Sequence, residues 1–221
     1  MKLRVELENS QIILVGTAHI LKESVESVSE TILEEKPDYV AIELDPNRFR
    51  ALELGERRKP RFRDFLSLGF GIALLGFLLS YLQEKVGENT GVLPGEEMLK
   101  AVECAREVGA EIVFIDRDVM ITLKKLLKEI PLREKLKILK EMLFQDSMQE
   151  LEIPNEDFVE RIVSEFKEIT PTGYRILISE RDEIMAESLL RMKGKVVCVV
   201  GAGHLLGIKR FLEEGVAFER A

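Results

Sequence analysis

Two short motifs contain both histidines of the chain and are the segments best suited to chemistry. Gly16-Thr17-Ala18-His19 lies near the start, and Gly201-Ala202-Gly203-His204 lies near the end. Each follows a short apolar run and precedes an amphipathic segment, which predicts strand, tight turn and helix. Such a unit delivers a side chain just beyond the carboxyl end of a strand, where open α/β sheets bind ligands. We therefore expect the first and last strands to be near neighbours and the two imidazoles to meet.

Other predicted strands also end in polar residues. Glu43 closes the apolar run that begins at residue 39, and Asp116 follows the run 111–115. Two imidazoles and one carboxylate are a recurrent ligand set for a divalent or redox-active metal. Such a metal lowers the pKa of bound water from about 15.7 to about 7 and so supplies a hydroxide nucleophile. The predicted metal ligands are His19, Glu43 and His204, with Glu43 also a candidate general base.

Two arginines could complete this site. Arg117 follows the strand 111–115, and Arg181 lies in a Glu180-Arg181-Asp182 run of a predicted long helix. A guanidinium could stabilise a developing oxyanion or bind a substrate carboxylate. The alternative for both arginines is an ordinary surface ion pair with Asp116, Asp118 or Asp182.

The histidines and Glu43 have structural alternatives as well. A histidine after a strand can be a hydrogen-bonded structural residue, although two in matching motifs favour a functional role. Glu43 could cap the helix that Pro46 begins, but Asp45 is the better-placed cap. Glycines in the motifs, Gly16 and Gly201, would supply the turns at little steric cost.

Alternating strand and helix patterns predict an α/β fold with a mixed, largely parallel sheet flanked by helices. A hairpin over 3–15 opens the sheet. We expect a single domain over 1–221, with a mostly helical insertion or lid at 55–170. Further predicted helices cover 21–36, 121–144 with a break at Pro131, 157–167, 176–189 and 205–214, and a closing strand covers 216–218.

One segment of the predicted insertion is unusually apolar. Residues 65–82 carry no charge, which just reaches the length of a bilayer span. Three glycines, two serines and dense flanking charge favour a core or dimer-interface helix instead, because a helix that is apolar all round must be buried. We expect a homodimer formed through this helix, with membrane contact as the alternative.

Composition excludes several classes of protein. The chain has 32 basic and 40 acidic residues and a net charge of −8, so nucleic acid is not an expected partner. Cys104 and Cys198 lack metal-type spacing and are predicted to be core residues in a reducing compartment. No P-loop, serine elbow or His-Glu-x-x-His helix is present. The glycines of 201–207 do not match the dinucleotide fingerprint, because the third glycine comes one residue late.

Seven motifs are distributed in order along the chain. They are Val15-Gly16-Thr17-Ala18-His19, Ala41-Ile42-Glu43-Leu44-Asp45, Pro94-Gly95-Glu96-Glu97-Met98, Ile115-Asp116-Arg117-Asp118, Glu180-Arg181-Asp182, Met185-Ala186 and Gly201-Ala202-Gly203-His204. Together they resemble the TraB/PrgY pheromone-shutdown family, which belongs to the wider TraB, GumN and Tiki group. The resemblance runs over essentially the whole chain and implies a fold similar to the erythromycin esterases and the ChaN haem-binding proteins.

The resemblance implies a function. Tiki relatives are manganese- or cobalt-dependent metalloproteases, and PrgY-type members block or degrade a peptide pheromone. We therefore expect a metal-dependent hydrolase, most simply a peptidase, that uses manganese or cobalt, or else zinc. His19, Glu43 and His204 would be its ligands, Arg117 and Arg181 would line the pocket, and Gly16, Gly201, Asp45, Asp116 and Glu180 would support it.

Two alternatives to a metallopeptidase stay open. One is a non-catalytic peptide- or haem-binding protein of the ChaN type, and the other is a metal-independent esterase. Because members of the family usually continue into membrane-spanning helices, the resemblance implies either a part of a longer, membrane-associated protein or a short member of the family. We expect a cytoplasmic or membrane-associated domain.

Overall fold

The computed structural model describes residues 1–17, 22–54, 95–144 and 156–219 of the 221 residues. The chain divides into two compact units. The first, here the sheet unit, comprises 1–56, 90–118 and 178–221; the second, here the helical unit, comprises 57–89 and 119–177. His19 and the apolar segment 65–82 lie outside the described residues, so their predicted roles, like that of a lid, remain predictions.

The described strands form one mixed sheet, which confirms the predicted α/β class and the opening hairpin. The strand order is β1-β2-β5-β3-β4. The first pair is antiparallel, whereas the pairs β2 with β5, β5 with β3, and β3 with β4 are parallel. The strands are β1 (Lys2–Glu6), β2 (Ser10–Thr17), β3 (Tyr39–Ile42), β4 (Glu111–Phe114) and β5 (Gly194–Gly201).

The pairing of β2 with β5 aligns the two glycine–histidine motifs. Gly16 lies opposite Val200, and Thr17 lies opposite Gly201. The Thr17 hydroxyl donates a hydrogen bond to the Val200 carbonyl across this pair, at 3.3 Å. The first parallel strand and the last strand are therefore direct neighbours, as predicted, and both motifs begin at the same edge of the sheet.

The helices of both units are named in chain order. A π-helical stretch, Arg175–Ser179, precedes α8, and a 3-10 turn, Ala202–His204, precedes α9. The helices are α1 (Lys22–Glu35), α2 (Pro46–Glu53), α3 (Glu96–Val108), α4 (Val119–Glu129), α5 (Leu132–Phe144), α6 (Glu156–Ile169), α7 (Pro171–Tyr174), α8 (Glu180–Leu190) and α9 (Leu205–Glu219).

Helices cover both faces of the sheet, so the strands are apolar on both sides, as buried parallel strands must be. Alternate residues of β2, β3 and β5 point to opposite faces. One face packs on α8 and α9 through Met185, Leu189 and Ile208. The other packs on α1 and α3 through Ile32 and Val102. Both cysteines are buried in these two layers, as predicted, and burial raises the pKa of each thiol.

Local signals set the helix ends near the sheet edge. The Asp45 carboxylate accepts hydrogen bonds from the backbone N–H groups of Asn47 and Arg48, at 2.9 and 3.0 Å. Asp45 is therefore the cap of α2, as predicted, and Glu43 is left for another role. Gly109 ends α3 in the left-handed conformation, with φ of 77°, which glycine adopts without a steric penalty.

In the helical unit, α4 and α5 are separated at Pro131, as predicted. Glu134 in the first turn of α5 is buried and accepts hydrogen bonds from the Thr170 hydroxyl at 2.6 Å and from the Thr172 hydroxyl at 2.8 Å. The Thr172 backbone N–H donates to the same carboxylate at 3.1 Å. This carboxylate ties the start of α5 to the start of α7.

One predicted element is wrong. The run 216–218 was expected to form a closing strand, but α9 continues through it to Glu219. Buried Leu205, Ile208 and Leu212 keep the helical spacing up to this point. Gly215 then passes so close to Leu190 that an added Cβ would lie 2.9 Å from its Cδ1. A short apolar run is compatible with either a strand or a helix. Residues 216–218 are helical because they continue α9, which packs through its buried residues.

None of the helices within the described ranges is long and apolar enough to cross a membrane.

Candidate functional site

The side chain of Arg181 lies at the centre of a buried group of charges in the sheet unit. It extends from the first turn of α8 and forms a two-pronged contact with Asp116, from Nε to Oδ1 at 3.0 Å and from Nη2 to Oδ2 at 2.9 Å. Nη2 also contacts Oε1 of Glu43. Only 14% of the Arg181 side chain is exposed. Arg181 therefore does form an ion pair with Asp116, but this pair is buried and does not lie at the surface.

His204 meets the same group from the turn after β5. Its Nδ1 lies 2.6 Å from Oδ1 of Asp182. Its Nε2 lies 3.3 Å from Oε1 of Glu43 and 3.1 Å from Nη1 of Arg181. We call Glu43, Asp116, Arg181, Asp182 and His204 the charge cluster.

Glu43 links the ends of two neighbouring strands. Its backbone N–H continues the pairing of β3 with β5 by donating to the Val199 carbonyl at 3.0 Å. Its Oε2 accepts a hydrogen bond from the Gly201 backbone N–H at 2.6 Å. Gly201 thus contacts the site through its backbone. Glu43 is held by one hydrogen bond from its own backbone and by another to its side chain.

Opposite charges set the protonation of the cluster. Burial lowers the pKa of Arg181, but the carboxylates of Glu43 and Asp116 outweigh it and raise the pKa, so the guanidinium stays charged. Burial likewise lowers the pKa of His204, whereas Glu43 and Asp182 raise it, to about 9. Burial raises the pKa of Asp182, and its bond to His204 opposes this. Even with His204 protonated, the cluster has more carboxylates than cationic groups.

Two glycines permit the close packing that positions the cluster. An added Cβ at Gly207 would lie 1.9 Å from Oδ2 of Asp182, so α9 can approach this carboxylate only with glycine there. An added Cβ at Gly16 would lie 2.2 Å from Cδ1 of Leu205, the residue after His204. The first motif therefore packs directly on the second.

Three candidates from the sequence lie beside the cluster. Arg117 pairs with Glu180 at 2.8 Å, and its side chain is only 9% exposed. Its backbone N–H donates to Oδ1 of Asp116 at 2.9 Å, which helps to orient that carboxylate. Asp45 caps α2, as described above. The predicted catalytic role of Arg117 and the supporting roles of Glu180 and Asp45 remain predictions.

Sequence reasoning did not identify two residues of this site. Asp182 was predicted only as an ion-pair partner of an arginine and as part of the Glu180-Arg181-Asp182 motif, without a role in the site, and Gly207 only as part of a rejected nucleotide motif. The signal for Asp182 was a run of four charged residues, 180–183, at the start of a helix whose later residues Met185, Ala186 and Leu189 are buried. The signal for Gly207 was a glycine one helical turn after His204, where the backbone has to approach another element closely.

Three side chains of the cluster have donor atoms that suit a divalent metal, but these atoms contact the guanidinium of Arg181. Carboxylate oxygens of Glu43 and Asp116 and the Nε2 of His204 are suitable ligands for manganese, cobalt or zinc. All three donors face the guanidinium of Arg181. In the described part of the chain, no group of three or more His, Cys, Asp or Glu side chains is arranged to hold a metal ion.

The fold and the site define a class of protein. It is an α/β domain in which the adjacent parallel strands β2 and β5 end at the two motifs, and a buried cluster of charges lies at the end of β5. The family model described as TraB/PrgY/gumN matches residues 2–215, so the chain belongs to the TraB/PrgY/gumN family, as the motifs indicated.

Two relatives illustrate the breadth of this similarity. The uncharacterized protein MJ1365 of Methanocaldococcus jannaschii is 40% identical over 213 residues, which cover 92% of this chain and 53% of that protein. A TraB domain-containing protein of Bos taurus is 27% identical over 238 residues, which cover 92% of this chain and 63% of that protein. The chain therefore spans between half and two thirds of the length of these relatives.

Proposed function

We propose that the protein is a metal-dependent hydrolase that acts on peptides, with the charge cluster as its active centre. The observation that carries this proposal is the convergence of Glu43, Asp116 and His204 at one position at the sheet edge. Two carboxylates and an imidazole around a common position are groups that bind a cation. His204 and Glu43, with His19 of the first motif, would be the ligands, and Asp116 would be a further donor.

The residues of the cluster have distinct roles in this proposal. A bound divalent metal would supply an activated water at neutral pH. Glu43 would accept the proton that this water loses as it attacks the peptide carbonyl. Arg181 would stabilise the negative oxygen of the tetrahedral intermediate. Asp182, at 2.6 Å from Nδ1, would hold the His204 ring with Nε2 directed at Glu43.

The contact between His204 and Asp182 also supports a second candidate, a metal-independent esterase. A carboxylate on Nδ1 orients an imidazole and stabilises its protonated form, as general acid–base catalysis requires. Nε2 of the ring then lies within reach of Glu43, so the histidine and the glutamate could activate water together.

Metal titration and peptide cleavage distinguish these candidates. Chelator-stripped protein would be titrated calorimetrically with Mn²⁺, Co²⁺ and Zn²⁺, beside His19→Ala and His204→Ala variants with folding checked by circular dichroism. We expect one site that is lost in both variants. Cleavage of a mixed peptide library would be followed by mass spectrometry and should require the metal.

A matched pair of variants tests the role of Glu43. Glu43→Gln should abolish cleavage, whereas Glu134→Gln, which alters a buried glutamate of the helical unit, should retain it. Cleavage that persists after chelation would contradict the metal-dependent hydrolase and favour the esterase. Stoichiometric capture of peptide or haem without products would contradict both and favour a binding protein.

A further inference from the structure

Arg181 contacts each of the three side chains of the cluster that could bind a metal. Nη2 contacts Oε1 of Glu43 and lies 2.9 Å from Oδ2 of Asp116. Nη1 lies 3.1 Å from Nε2 of His204. One planar guanidinium therefore faces two carboxylates and one imidazole at the same time, in the fork geometry that arginine alone among the side chains provides.

A metal ion and this guanidinium need the same lone pairs. Arginine has only hydrogen-bond donors, so the carboxylate oxygens of Glu43 and Asp116 contact it by directing lone pairs toward it, and Nε2 of His204 does the same when the ring is neutral. A metal ligand uses that same density for its bond. The two cations therefore repel each other and compete for the same three side chains.

Charge balance leads to the same conclusion. With Arg181 in place, buried Glu43 and Asp116 are held together by one positive charge. Without it, two carboxylates would lie side by side with little exposure to water, which strongly favours the entry of another cation. The guanidinium serves as the counter-ion of the site in the structure described here.

We propose that Arg181 is a resident cation that keeps the charge cluster in a metal-free form, and that a divalent metal binds only when the guanidinium leaves the donors of Glu43, Asp116 and His204. This inference rests on the metal-dependent function proposed above. Metal affinity is then set by competition with an internal group, and the protein selects a metal whose binding outweighs the loss of these contacts.

The test compares Arg181→Gln with Arg48→Gln by calorimetric titration of Mn²⁺. Arg48 is a matched control, because its Nη1 lies 4.0 Å from Oδ2 of Asp116 but its side chain is 46% exposed. Both variants remove one positive charge near the same carboxylate. We expect Arg181→Gln to bind Mn²⁺ about tenfold or more tightly than the wild type, and Arg48→Gln to stay within about threefold.

Folding of the variant is itself a readout. If Arg181→Gln is unfolded without metal, Mn²⁺ should restore a cooperative unfolding transition, because a ligand that binds only the folded state stabilises it. If neither condition gives folded protein, Arg181→Lys takes its place. Lysine keeps the positive charge but lacks the planar set of N–H donors that contacts all three side chains. This variant should therefore bind Mn²⁺ more tightly than the wild type. Unchanged affinity would overturn the proposal.

The remaining outcomes separate this inference from the proposed function. One outcome would support the resident cation directly. Arg181→Gln would bind Mn²⁺ whereas the wild type would not, and the double variant Arg181→Gln/His204→Ala would lose this binding. Wild-type binding that is lost in His204→Ala but equal or weaker in Arg181→Gln would overturn the inference and leave the metal-dependent function standing. An absence of binding in the wild type and in both arginine variants would overturn both.

Discussion

Glu43 and Glu134 are both buried, one in the sheet unit and the other in the helical unit, and their partners differ in kind. Glu134 accepts hydrogen bonds from neutral groups, the hydroxyls of Thr170 and Thr172 and the Thr172 backbone N–H. Glu43 accepts one bond from the Gly201 backbone but also faces Arg181 and His204. A similar degree of burial therefore accompanies two different electrostatic environments.

The difference indicates which of the two carboxylates is suited to chemistry. Neutral donors stabilise the ionised form of Glu134 and provide no proton acceptor or movable cation, so this carboxylate joins two helices. A cationic arginine and a titratable imidazole next to Glu43 allow proton and charge transfer. Burial alone does not distinguish these two acids, whereas the charge of their partners does.

The largest expected effect is the loss of stability when the cluster loses its arginine. Arg181→Gln leaves Glu43 and Asp116 buried beside each other, and removing one partner of a buried ion pair typically costs about 3–5 kcal/mol of unfolding free energy. Glu134→Gln keeps an oxygen acceptor in a neutral environment and should cost about 1–3 kcal/mol. Urea unfolding at pH 7 measures both. A smaller loss for Arg181→Gln than for Glu134→Gln would reverse the comparison.

The pH dependence of the helical unit gives the next effect. Burial raises the pKa of Glu134, but hydrogen bonds from Thr170 and Thr172 outweigh it, so the folded-state pKa lies below the usual 4.5. Its contribution to stability is therefore present above about pH 4.5. It disappears as the pH falls through the lower folded-state pKa.

This pH effect can be isolated with one variant. Urea midpoints measured between pH 7 and pH 3 should fall less steeply for Glu134→Gln than for the wild type, because the variant has no carboxylate to protonate at this position. Parallel curves for the two proteins would show that Glu134 does not contribute to acid unfolding.

The smallest effect tests how tightly the cluster is held. Replacing a helical glycine with alanine normally stabilises a helix by up to about 1 kcal/mol. At Gly207 the added Cβ would collide with Asp182, so Gly207→Ala should instead cost about 1–3 kcal/mol. At Gly215 the nearest atom is the end of the flexible Leu190 side chain, and Gly215→Ala should lie within about 0.5 kcal/mol of the wild type.

Thermal unfolding of the two glycine variants would measure this difference. Equal melting temperatures would mean that Asp182 can move away from α9 without cost. His204 would then not be held rigidly by its carboxylate partner.

Much of the sheet could be predicted from sequence because local patterns determine it. Apolar runs of four to eight residues, ended by glycine or by charged residues, located β2, β3, β4 and β5. The repeated glycine–histidine motif indicated correctly that the first and last strands are neighbours. Asp45 was identified as a cap because capping depends on residues two and three positions away.

The arrangement inside the cluster could not be predicted, because it depends on contacts between distant elements. Arg181 was considered as a pocket residue or a surface ion pair, and nothing local indicated that its guanidinium would reach both β3 and β4. The role of Asp182 depends on the orientation of α8, and that orientation follows from the packing of Met185 and Leu189 on the sheet.

The strand order also affects how the chain folds as it is synthesised. β5 lies between β2 and β3, so these two early strands acquire their shared neighbour only after more than 150 further residues have been made. Contacts of such separation form slowly, and until then β2 and β3 present unpaired edges. The nascent chain therefore contains Glu43 long before it contains an assembled site, and any activity of the cluster begins only when the last strand inserts.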